Sequence, residues 1–392
     1  MSAGEGALPA LARTGHRRSE AAPIELFFDL VYVFAIIQLS HLLIEHLTWE
    51  GAAQTVVVFA AVWWGWNYTA WAMNWLDPGR TSVQLLNGVL MLAALGMSVA
   101  IPTAFGDGAE LFGAGLFVAC YLFMGIVRPV FMMVVYRGHR LAANYRMLLI
   151  WTLGAGVFWI AGCFVPPHWR LLLWLVAVAV DYAAPLAQYR VPGVGAAPMD
   201  QWDPDAGHLA ERNRLVFIIA LGESILLMGG TVVAEGALTG ATALIVVIGF
   251  ASLFALWWNY FALAGPDAEG GRGSTSALRS AYAYAHALMV LGAIVVAVSI
   301  ELRLSHEHLT QAAVVVTVAG PIIYLVGNLL YIRSRFGRIA PSRIVAAGVL
   351  VVVGAAALAA GEHLPGVVLS AAVLIVLAVL AVQTARERAA TS

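Results

Sequence analysis

Apolar residues run along this chain in stretches of about twenty, the length at which a helix rising 1.5 Å per residue crosses a bilayer core of roughly 30 Å. Twelve such stretches are predicted as transmembrane helices, near residues 26–46, 52–75, 82–104, 110–134, 147–165, 170–188, 210–233, 239–264, 277–301, 310–332, 343–360 and 365–384. Little is left over for a soluble domain. The longest polar stretch, Gln188 to Glu211, carries Pro192, Gly193, Gly195, Pro198, Pro204 and three aspartates, a composition suited to a linker between two halves. The pattern therefore predicts an all-α polytopic membrane protein with about twelve transmembrane helices.

Composition agrees. Of 392 residues, 61% are hydrophobic and 11% charged, with a mean hydropathy of +0.86; a soluble domain has about 25% charged residues. A net charge of −1 leaves no basic excess to neutralise a nucleic-acid backbone, so DNA and RNA are excluded as partners. Cys120 and Cys163 both fall in apolar runs, and two ligands build no metal framework, so neither a disulfide nor zinc is expected. The polar first two dozen residues lead into a long apolar run without a small-residue cleavage site, which predicts that no signal peptide is removed. All 21 basic side chains are arginine, and their placement orients the chain. With the N-terminus inside, eighteen fall in inner segments, two, Arg170 and Arg303, in outer loops, and one, Arg128, within a span. Both termini are thus expected on the cytoplasmic face.

Rare letters recur between the halves. Trp66-Asn67-Tyr68 reappears as Trp258-Asn259-Tyr260, Arg80 with Asn87 as Arg279 with His286, and Arg146, Gly162 and Pro166 as Arg343, Gly361 and Pro365. These positions are offset by 192 to 199 residues. The spacing predicts two parallel six-helix repeats, residues 1–195 and 196–392, related by an axis along the membrane normal.

A few polar side chains interrupt the apolar runs. Glu25 and Asp29 stand four apart at the start of the first helix and share a face. Capping and the helix dipole account for an acid at Glu25; Asp29, a turn deeper, needs a partner or water. Glu223 is the one acid in a long apolar run, and such residues face a bundle interior or an aqueous cavity; Gly222 beside it would admit a close backbone. Arg128, followed by Pro129, either snorkels to the interface or pairs with Asp29 or Asp181. Asn67, Asn87, Asn259 and His286 fall at matching depth in the inner halves of their helices, where they either hydrogen-bond between helices or line a wet vestibule. The candidate ion-pathway residues are therefore Asp29, Glu223, Asn67, Asn87, Asn259 and His286, and the candidates for structural ion pairing are Glu25, Arg128 and Asp181. His306-Glu307-His308 matches no helix-face metal motif, and the sequence predicts neither a metal nor a cofactor.

The run Glu25-Leu26-Phe27-Phe28-Asp29-Leu30-Val31, with Leu221-Gly222-Glu223-Ser224, resembles the bacterial low temperature requirement protein A family. His208, Glu211, Arg212 and Leu215 fit that family's later motif, while Asn213 and Arg214 replace its usual Phe-Gly. The resemblance covers most of the chain and implies an integral membrane protein of the bacterial cytoplasmic membrane, without an assigned reaction. Phe28-Asp29, and Leu86-Asn87 leading to Ile101-Pro102-Thr103-Ala104, are more faintly similar to a potassium channel family built from six-helix repeats, whose pore is lined by the first helix of each repeat. Phe28 stands where that family has serine and the second half lacks its motif, so the likeness extends to architecture and not to potassium selectivity. The reading that follows is a channel or transporter for a small ion or solute in the lipid bilayer, its path bordered by helices 1 and 7. A membrane enzyme acting on a lipid or isoprenoid carrier and a non-catalytic partner subunit are the rivals, and a homo-oligomer is left open.

Overall fold

The computed structural model describes residues 9–13, 20–106, 111–236, 239–262, 274–305 and 309–389. Among these it is helical nearly throughout, with twelve long helices. They are α1 (Pro23–Glu45), α2 (Trp49–Met73), α3 (Thr81–Ala100), α4 (Leu111–Val135), α5 (Arg140–Cys163), α6 (Pro167–Leu186), α7 (Ala206–Glu235) and α8 (Gly240–Phe261). The remaining four are α9 (Thr275–Ser305), α10 (Gln311–Phe336), α11 (Pro341–Ala360) and α12 (Gly366–Ala389). Proline in the first turn of α6 and α11 pre-sets the helical φ, Thr239 and Thr310 cap α8 and α10 through their hydroxyls, and Gly337 ends α10 in the left-handed conformation at φ 66°. Helix α9 contains one π-helical stretch, Ser280–Ala285.

Eleven of the twelve are long and apolar enough to cross a membrane. The exception, α2, is rich in tryptophan and carries Asn67, Gln54 and Glu50, yet it is buried along most of its length. Its surroundings are protein rather than lipid, so it needs less apolar character. At the other extreme, α11 and α12 turn most of their surface outward, and on α3 the exposed Leu85, Val89, Leu92 and Val99 form a stripe at helical spacing. These faces meet the lipid bilayer.

The chain divides into two compact units: residues 1–42, 49–212 and 274–276 form one, and residues 43–48, 213–273 and 277–392 the other. In the first, α2 is the buried centre, and α3 to α6 pack in sequence order with α2 also against α4 and α6. In the second, α9 is the centre, 89% of its apolar window being buried, and α8 packs against α12. By the expected repeat α2 would correspond to α8, so the two units do not bury corresponding helices. The stretch expected as a linker folds onto the first unit: Tyr189, Ala197, Met199 and Trp202 are buried, Val191 bridges to Gly195, and the Tyr189 hydroxyl meets that of Tyr68 at 3.2 Å.

Candidate functional site

The start of α1 divides its residues by face. Glu25, Phe28, Asp29 and Tyr32 point inward with 0–3% exposure, while Leu26, Phe27 and Leu30 face outward. The motif is thus an amphipathic turn whose buried face carries two acids. The first turns of α7 answer with His208 and Arg212, also four apart and both fully buried. His208 Nε2 lies 2.9 Å from Glu25 Oε1, and Arg212 donates from Nη1 to the same oxygen at 3.1 Å and from Nη2 to Asp29 Oδ1. Trp66 of α2 adds an indole N–H to Asp29 Oδ1 at 2.8 Å, and the Arg212 guanidinium lies over its ring.

A second arginine arrives on a short extended segment. Ala12 bridges to Leu76, the Arg13 amide donates to the Trp75 carbonyl and the Asp77 amide to that of Leu11. This docking carries the Arg13 guanidinium to Glu25 Oε2, at 3.4 Å, and to the Met73 carbonyl. His208 is held from both ring nitrogens. Asn74 Oδ1 accepts from the Asp205 amide, so Asn74 Nδ2 is the nitrogen that donates to His208 Nδ1 at 3.1 Å. His208 Nε2 faces both Glu25 Oε1, at 2.9 Å, and the Arg13 guanidinium, at 3.0 Å. Two carboxylates, two guanidiniums and an imidazole thus meet in one buried cluster.

Glu223 stands in a different setting. Its side chain is 1% exposed, neither carboxylate oxygen has a hydrogen-bond partner among the described residues, and Glu301 of α9 acts on it electrostatically. Among the described residues nothing lies within 4 Å of where a Cβ of Gly222 would sit, so no backbone approaches it closely there.

The expected pairing of Arg128 with Asp29 or Asp181 is corrected. Arg128 is buried, so it does not snorkel; it donates to the Gly65 carbonyl at 3.1 Å and Thr69 Oγ1 at 2.9 Å and lies against the Tyr68 ring. Asp29 turns to Arg212 instead, and Asp181 accepts from Tyr121 and Trp159 at 2.7 and 3.1 Å. The four inner-half polar residues are all buried. Asn87 donates to the Val83 carbonyl one turn back, and Asn259 to those of Ala255 and Leu377. His286 gives its Nδ1 proton to the Ala281 carbonyl and accepts from the Tyr260 hydroxyl; Asn67 is 2% exposed. Glu211 is half-buried beside Arg212. His306-Glu307-His308 lies outside the described residues, among which no group of three or more potential ligands could hold a metal. The sequence marks Trp66 only as part of the repeat and Arg13 only as an orienting charge, and Asn74 not at all; the docking of the 9–13 segment and the rotation of α2 bring them into the site.

Many membrane-length helices, lipid-facing apolar stripes and a buried ion-pair cluster define a polytopic α-helical membrane protein. Residues 20–382, which include the described cluster apart from Arg13, match the bacterial low temperature requirement A protein (LtrA) family, and the chain belongs to it. It is similar to an uncharacterized protein of Rhizobium meliloti, 34% identical over 332 residues that make up 83% of this chain and 80% of that protein.

Proposed function

We propose that the chain moves a small ion or solute across the bacterial cytoplasmic membrane, along a path bordered by α1 and α7, with both termini in the cytoplasm. The observation that carries this reading is Glu223, an acid inside a spanning helix with no hydrogen-bond partner for either oxygen among the described residues. An acid at such depth costs about 2.5–3.5 kcal/mol on insertion scales and marks ion or proton pathways. Counting along α7, Glu223 comes eleven residues after Arg212, close to three turns, so both lie on one face of the helix. The arginine distribution supports the orientation, and the recurring letters support descent from a parallel six-helix repeat with halves 1–195 and 196–392.

The test is flux through purified protein in liposomes. Glu223→Gln keeps the shape and removes the charge, so folded yield should hold while flux changes at least several-fold; Glu223→Ala separates loss of charge from loss of packing. Unchanged flux in a well-folded Glu223→Gln protein would remove the main support for transport. Wild-type protein that passes nothing but turns over labelled lipid would put a membrane enzyme in its place.

A further inference from the structure

Arg128 differs from three other buried arginines in what balances it. Arg13, Arg212 and Arg343 each have a carboxylate within 3.5 Å, namely Glu25, Glu25 again, and Glu387. Arg128, 1% exposed and inside α4, has two neutral acceptors on one nitrogen, and its Nε has no hydrogen-bond partner among the described residues. Among the described residues no carboxylate lies within ion-pairing distance of it. The ionisable groups that act on it are the phenols of Tyr145, Tyr32, Tyr68 and Tyr121. Two of these hydroxyls, Tyr32 on α1 and Tyr145 on α5, are themselves buried and have no hydrogen-bond partner among the described residues. Tyr32 reaches the same point on α2 as Arg128: its hydroxyl is 3.4 Å from where a Cβ of Gly65 would sit, and Arg128 bonds the Gly65 carbonyl. Asp29, the acid nearest Tyr32 along α1, has its charge taken up by Arg212.

An uncompensated guanidinium N–H and two unused O–H groups, all fully desolvated, form a set of donors lacking an acceptor and a cation lacking a counter-charge. Buried charges in membrane helices are retained where something pairs with them. We propose that Arg128, Tyr32 and Tyr145 form a binding site for a small monovalent inorganic anion within the first unit. The anion accepts from Arg128 Nε and the two hydroxyls, and its charge balances the arginine. A Cβ at Gly65 would come into ordinary contact with the Tyr32 hydroxyl, at 3.4 Å. The site is independent of the transport reading and is tested by binding alone.

The probe is chloride, exchanged for gluconate at constant ionic strength, with thermal unfolding of the purified full-length protein in detergent as the readout. A ligand that binds only the folded state raises the unfolding temperature with its concentration. Wild-type protein should show a saturable rise of several degrees with chloride or bromide and none with gluconate, and Arg128→Gln should be flat. Tyr32→Phe and Tyr145→Phe, each losing one hydrogen bond to a charged partner, should weaken the chloride midpoint about ten-fold. No halide-specific rise in wild type, as for a site holding only water, overturns the proposal, as does an equal rise in Arg128→Gln. If Arg128→Gln does not fold, unchanged chloride midpoints in both tyrosine variants overturn it.

Discussion

Glu25 and Glu223 are glutamates of almost equal exposure, 0% and 1%, in spanning helices of the same chain, and their surroundings are opposite. Glu25 is met by an imidazole, two guanidiniums and the Ala22 amide at 2.8 Å. Glu223 meets no donor among the described residues. The difference extends to how each unit is closed. The first is fastened by polar complementarity around α1, α2 and the start of α7. The second brings α9 and α10 together through glycines: a Cβ on Gly320 would lie 2.8 Å from the Val296 amide nitrogen, and one on Gly327 2.7 Å from the Ala285 carbonyl. A buried acid answered on every side works as a fastener. One left unanswered is available for another partner, and a unit closed by backbone contact can tolerate it.

The largest effect that would break this comparison falls on Arg212. Arg212→Gln leaves Glu25 and Asp29 facing each other with too little positive charge, and breaking a buried pair on one side costs about 3–5 kcal/mol. Folded yield by gel filtration and thermal unfolding in detergent should both collapse, and adding Asp29→Asn should recover part of the loss. A loss under about 1 kcal/mol, the scale of an exposed ion pair, would mean that the cluster does not hold the first unit together.

Next in size is the second unit's glycine contact. Gly320→Ala should cost about 1–3 kcal/mol, because the methyl group meets backbone that cannot yield. The control is Gly348→Ala on α11, where a Cβ meets nothing within 4 Å; it should be neutral or gain up to about 1 kcal/mol from helix propensity. Equal effects at the two positions would show that close approach of α9 and α10 is not what closes the unit.

The smallest effect sharpens the assignment of partners. In a double-mutant cycle, Asp29→Asn and Arg128→Gln should be additive to within about 0.5 kcal/mol. Asp29→Asn and Arg212→Gln should couple by more than that. Strong coupling to Arg128 would restore the pairing expected from sequence.

Helix positions were legible in the sequence because hydropathy reports depth in the membrane directly. The predicted spans and the helices differ mostly by a few residues at the ends. The largest error is at α5, which starts at Arg140 rather than near 147 because its first turns, with Arg140, Asn144 and Arg146, are polar and lie beyond the apolar run. Side-chain partners were less legible, since depth does not give the rotation of a helix about its axis. Arg128 and Asp29 were matched because both interrupt apolar runs, yet Arg128 turns to Gly65 and Thr69 of α2. Arg212 was recognised through the family motif alone; its place at the edge of an apolar run gave no sign that it would be fully buried. Arg13 was counted among the charges that orient the chain, and nothing in its neighbours marks the bridge at Ala12 that carries it inward.

The cluster also sets an order of events during synthesis. Arg13 lies twelve residues before Glu25, so the two leave the ribosome together, but Arg212 follows Asp29 by 183 residues. At about 5–20 residues per second that gap is roughly 10–40 s. Throughout it, α1 stands in or near the membrane with one of its two acids lacking its arginine, while five further helices are made. The cluster is complete only when the opening turns of α7 have been translated, so α1 must be held at the interface or by the insertion machinery until its partner arrives.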